Sequence, residues 1–199
     1  MRKPDGNLAF KVTWVYGQGG PFTTACTADG RDINIRRLKR VWCKEERCPC
    51  KQRGKGEPPV RLFLDKPCYD ANIFREWRFG GGTFHNGEKK DTPRKILSAK
   101  VGKIAFYTTR HKDMTEDERI VCGAFRIGEI TEVRGETIVV ASAEGPHLKV
   151  DNFSKAPRYW EFHKQPTGPA WRTGLFRYVP DSEVAELLAA LQKVAVDCR

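Results

Sequence analysis

The chain has 199 residues, 31% charged and 11% aromatic, with 36 Lys+Arg against 25 Asp+Glu for a formal net charge of +11. That composition excludes a disordered polar tail and fits one folded core with a satellite lobe. The positive balance points to a polyanionic partner, DNA or RNA, through counterion release and long-range attraction, with a merely solvated basic surface as the plain alternative.

Met1-Arg2-Lys3 is followed by Pro4-Asp5-Gly6-Asn7, where a signal peptide needs an apolar run. No stretch approaches the roughly 20 apolar residues of a membrane helix, so a soluble, intracellular protein with no membrane association is expected. Residues 10–16 (FKVTWVY) alternate as a strand does, ending at the turn signal Gly17-Gln18-Gly19-Gly20-Pro21. Residues 31–61 are basic and cysteine-bearing, and residues 51–59 (KQRGKGEPP) have the composition of a linker. The expected organisation is a basic, cysteine-rich lobe over 1–59 and a β-rich core over 60–199.

Cys43, Cys48 and Cys50 form C-x4-C-x-C, a cluster of thiols suited to a tetrahedral, thiophilic ion such as zinc. Cys26 and Cys68 are rival routes to completion, so five cysteines compete for four places. Disulfides and unligated thiols are the alternatives among seven cysteines in all. Pro49 and Pro67 stiffen the chain beside the ligands and lower the entropy lost when they converge. An all-thiolate site has no open coordination position, so the zinc is expected to be structural. Cys122 and Cys198 read as packed and incidental residues.

Residues 67–84 mix aromatics with Gly80-Gly81-Gly82, as in a short helix or strand entering a tight turn. Residues 103–109 (KIAFYTT), 120–130 (IVCGAFRIGEI) and 137–142 (TIVVAS) are rich in β-branched and aromatic side chains separated by polar turns, which predicts a mainly antiparallel sheet. Val184, Leu187, Leu188, Leu191 and Val194 recur at helical spacing after the acids Asp181 and Glu183. They predict a C-terminal amphipathic helix that closes one side of the sheet or, as the rival reading, docks a protein partner. The fold class is therefore α+β.

Residues 101–107 (VGKIAFY) resemble the glycine-led strand of the PUA-like group, especially its EVE and YTH types, and residues 120–130 are similar to the neighbouring strand with an internal glycine. The resemblance spans roughly 74–178. It implies a small curved or barrel-like core whose pocket takes a modified or flipped base between aromatic side chains, with Trp77 at the group's early tryptophan. The chain departs at Lys103, where the group often has an acid.

Stacking a base on an aromatic face is worth about 1–3 kcal/mol, which makes Trp77, Phe84, Tyr107, Trp160 and Trp171 candidates, although large aromatics are more often packed as core. His85 and Asn86 are available to read base edges and Arg110 to contact phosphate. Neither glycine run has the spacing or lysine of a phosphate-binding loop. Phe84-His85-Asn86 is similar to a fragment of an HNH nuclease motif, but no second histidine completes it. Glu116, Asp117 and Glu118 fit a charged turn better than a metal site. The expected function is a non-catalytic nucleic-acid reader; a nucleic-acid-processing enzyme and a protein-interaction adaptor are the alternatives.

Overall fold

The computed structural model describes residues 5–17, 20–23, 26–37, 43, 70–84, 87–164, 168–171 and 174–198. The chain divides into two compact units, one of residues 1–12 with 77–199 and one of residues 13–76. The boundary expected near Pro59 lies outside the described residues, and the first strand belongs to the larger unit.

The larger unit holds an open sheet of eight strands among the described residues: β1 (Asn7–Lys11), β2 (Arg78–Gly80), β3 (Ile104–Thr109), β4 (Ile120–Val133), β5 (Glu136–Ala141), β6 (His147–Val150), β7 (Phe176–Val179) and β8 (Ala195–Asp197). The main path runs β2-β5-β4-β3-β1-β7, with β6 pairing β4 and β8. β1 lies parallel to β3 and antiparallel to β7, and the other ladders are antiparallel. A parallel pair needs a long crossover, and the smaller unit lies within that connection. The α+β class and the mainly antiparallel sheet thus match expectation. The alternation of residues 10–16 outruns β1 because Trp14 and Val15 are buried as well, as part of the smaller unit.

β4 organises the sheet. On one edge its residues 120–126 pair with β3; on the other, residues 123–125 pair with β6 and 127–133 with β5. β5 and β6 therefore run end to end along β4, interrupted at residues 142–146. Alternate side chains give the sheet two apolar faces. Phe106, Ala124 and Leu148 join one buried cluster, while Tyr107 and Phe125 contact each other on the other side, with ring centroids 5.3 Å apart.

Four short helices are described: α1 (Ala28–Asp32), α2 (Ile73–Glu76), α3 (Tyr159–Phe162) and α4 (Asp181–Gln192). α4 is the predicted terminal helix; Leu187 and Leu191 are fully buried in the cluster, with Val184, Leu188 and Val194 packed at its margin. Burying each leucine stabilises by roughly 1.5–3 kcal/mol, so the apolar stripe is used within the fold. Lys103, the departure from the PUA-like pattern, donates to both carboxylate oxygens of Asp181 at 2.8 Å and ties the start of β3 to α4.

In the smaller unit Phe22 meets Phe74 edge-on at 5.6 Å and Trp14 at 6.3 Å. Thr27 caps α1 by accepting from Gly30 N at 3.2 Å.

Candidate nucleic-acid interface

The break between β5 and β6 is a fork, because β2 covers the far edge of β5 and β8 the far edge of β6. Trp77, just before β2, and His147, at the start of β6, meet at this fork with ring centroids 4.9 Å apart. Behind them Trp77 stacks on Tyr107 at 6.2 Å, and Tyr107 donates to the Arg78 carbonyl at 3.1 Å. Burial falls outward along this column: Tyr107 is fully buried, Trp77 is 7% exposed and His147 is half-buried. Phe79 and Phe10, stacked at 4.3 Å, continue the packing inward.

Trp77 has φ +46°, a left-handed conformation that costs a bulky residue energy and persists only where its surroundings impose it. Its carbonyl is held by Ala141 N at 2.9 Å. Around the fork, Gly145 permits a close approach: a Cβ there would lie 2.5 Å from Cβ of Arg126. Arg126 and Arg78, both exposed, neighbour the His147 and Trp77 positions along their strands. Strand alternation turns both arginine side chains away from the face that carries His147, Phe125 and Phe79, so these cations border the fork from the other face of the sheet.

Trp160 and Trp171 do not join this column. They form a second cluster with Tyr159 and His163; Tyr159 lies 4.9 Å from Trp160 and 5.4 Å from Trp171. Here Arg119 lies over Trp171 at 4.9 Å and Arg177 over Trp171 and Trp160 at 5.4 and 5.6 Å. His163 Nδ1 and Glu183 Oε2 are 2.6 Å apart.

Arg110 pairs with Glu116 at 3.8 Å, and Arg119 grips the same carboxylate through Nε and Nη2. Burial would raise the Glu116 carboxyl, but the hydrogen bond and charge of Arg119, with Arg110 and Lys11, hold it below its ordinary value. Glu118 accepts from Thr115 N and Oγ1 at 2.8 and 2.9 Å, so the acidic run 116–118 forms the charged turn read from sequence. Phe84 stands apart beneath Arg94 Cζ at 4.3 Å. His85 and Asn86 lie outside the described residues. The six described candidates therefore do not build one cage: Trp77 and Tyr107 share one cluster, Trp160 and Trp171 another.

Sequence reasoning missed His147, Arg126, Tyr159 and Arg119. The one available signal was aromatic neighbours at Tyr159-Trp160; His147 sits in a polar turn with no pattern around it.

Of the five candidate ligands, Cys48, Cys50 and Cys68 lie outside the described residues. Cys26 and Cys43, both buried, line one small cavity with Thr13, Val15, Arg31, Asn34, Ile35 and Asp70. Asn34 donates to Cys26 Sγ at 3.5 Å. Among the described residues no group of three or more His, Cys, Asp or Glu stands close enough to hold a metal ion, and no helix is long and apolar enough to cross a membrane.

No family model matches this chain, and no curated protein or solved structure matches it either.

Proposed function

We propose that the sheet unit is a non-catalytic nucleic-acid reader that takes an unstacked, modified base at the β5/β6 fork. The observation that carries this reading is the column Tyr107–Trp77–His147, graded from buried to half-exposed, with the exposed Arg126 and Arg78 at the edge of the same fork on the sheet's other face. A base laid against His147 would add a ring to this column, whose outer pair is tilted at 46°, while the arginines neutralise phosphates. The net charge of +11 supplies the long-range attraction. A PUA-like descent, with the curved core it implies, belongs to the same proposal.

Because Trp77 and Tyr107 are packed as core, replacing them perturbs folding and binding together. The deciding variants are therefore His147→Ala and Arg126→Ala. A binding screen over DNA and RNA bearing diverse modified bases is expected to find a salt-sensitive ligand whose affinity falls about tenfold in His147→Ala, the equivalent of about 1.4 kcal/mol. Unchanged affinity in both variants, or turnover of the oligonucleotide, sinks the reading.

The zinc-stabilised lobe is also proposed. Cys43 and Cys26, brought to one cavity, would join two of Cys48, Cys50 and Cys68 to hold a structural zinc. Metal analysis of the purified protein is expected to find close to one zinc per chain, reduced by Cys43→Ser; a folded, metal-free protein refutes it.

A further inference from the structure

In the second aromatic cluster, buried hydrogen-bond donors outnumber their partners. Arg119, 2% exposed, uses Nε and Nη2 on Glu116, and its Nη1 is buried with no hydrogen-bond partner among the described residues. The hydroxyl of Tyr159 and the indole N–H of Trp160 are in the same condition. Burial pushes the Tyr159 phenol up, so it stays protonated and able to donate. The three residues share one neighbour: Arg119 Cζ lies 4.9 Å from the Trp171 ring centroid, and the ring centroids of Tyr159 and Trp160 lie 5.4 and 6.2 Å from it.

Such atoms are rare in native proteins, because a buried donor without an acceptor loses its hydration and gains nothing in return. The charges lean the same way. Arg110, Arg119 and Arg177 surround the cluster, while of its carboxylates Glu116 is shared by two of these arginines and Glu183 is held by His163. A bridging water accepts at most two of the three donors and must place two protons of its own. An oxyanion accepts from all three and is favoured by adjacent guanidinium groups.

We propose that Arg119 Nη1, Tyr159 OH and Trp160 Nε1 form a binding site for a small oxyanion of the phosphate type. The low exposure of these atoms restricts the ligand to a free anion or the terminal phosphate of a strand, which present the same oxygens. The site does not depend on the fork, so the two ideas fail separately.

The test uses the full chain with inorganic phosphate, against chloride at matched ionic strength, and the variants Tyr159→Phe and Trp160→Phe, which remove one donor each and keep a ring. Phosphate is expected to raise the melting temperature of the parent protein. In each variant phosphate affinity by calorimetry should fall at least tenfold, while the phosphate-free melting temperature does not fall. Equal phosphate stabilisation in all three proteins, or none in the parent, overturns the site. A 5′-phosphorylated oligonucleotide that outbinds its 5′-hydroxyl counterpart, with the advantage lost in Tyr159→Phe, identifies the strand terminus as the source; equal binding of the two, with phosphate stabilisation intact, identifies the free anion. Phosphate stabilisation without any oligonucleotide binding refutes the reader and leaves this site standing.

Discussion

Asn7 shows how much one buried amide can hold. Its Nδ2 donates to the Val179 carbonyl at 3.2 Å and to Asp181 at 2.7 Å, while its Oδ1 accepts from Ile104 N at 3.0 Å. One side chain in β1 therefore secures β3, β7 and the start of α4. Asn7→Ala leaves buried backbone groups unpaired and is expected to cost about 2–3 kcal/mol, measured by urea denaturation. Glu116 supports the buried Arg119 in a comparable way, and Glu116→Gln is expected to cost about 3 kcal/mol near neutral pH. Because the native carboxyl sits below its ordinary value of 4.5, its contribution is complete above that value and is lost as pH falls through the native pKa. The stability gap between parent and Glu116→Gln should accordingly narrow on acidification below about pH 4.5, and a gap independent of pH would contradict the assignment. Neither residue was legible in the sequence, since a lone Asn or Glu carries no periodic signal and its partners lie far along the chain.

At the scale of elements, the patterns with a period were readable. β3, β4, β5 and α4 fall where β-branched alternation and the Leu187/Leu191 spacing put them, because burial of one face imposes that spacing on the sequence. What pattern does not encode is the second partner of β4. Its switch from β6 to β5 passes Gly128, where the register shifts and a Cβ would lie 2.4 Å from Ser142 Cα. Since the obstructing atoms are backbone, Gly128→Ala must push the strands apart, and a loss of about 1–3 kcal/mol in chemical denaturation is expected. The fork at residues 142–146 would be disturbed with it. The aromatic candidates were legible as residue types but not as groups: ring neighbours such as Trp77 and His147 are 70 positions apart, joined only by strand pairing.

At the scale of the whole molecule, charge was legible from composition alone, and its consequence is measurable. If Arg78 and Arg126 each neutralise one phosphate, alanine replacement of either should reduce the slope of log affinity against log salt by about 0.7–0.9. A lower affinity at unchanged slope would assign the arginine to something other than phosphate. The linker-like composition near Pro59 lies outside the described residues, and the two compact units meet in the chain at Val12 and Glu76, where the composition carries no signal. Yet the strand order explains where the smaller unit is inserted. The sheet is left at Val12, whose N–H bonds Thr108 O at 2.9 Å, and is rejoined at Trp77, which stacks on the adjacent Tyr107. Exit and re-entry thus fall beside successive residues of β3, so residues 13–76 enter the chain as one insertion between two neighbouring points of the larger unit, and evolution could lengthen, exchange or delete it without threading the sheet anew. A chain in which residues 13–76 are replaced by a short Gly/Ser linker should fold cooperatively and keep the fork.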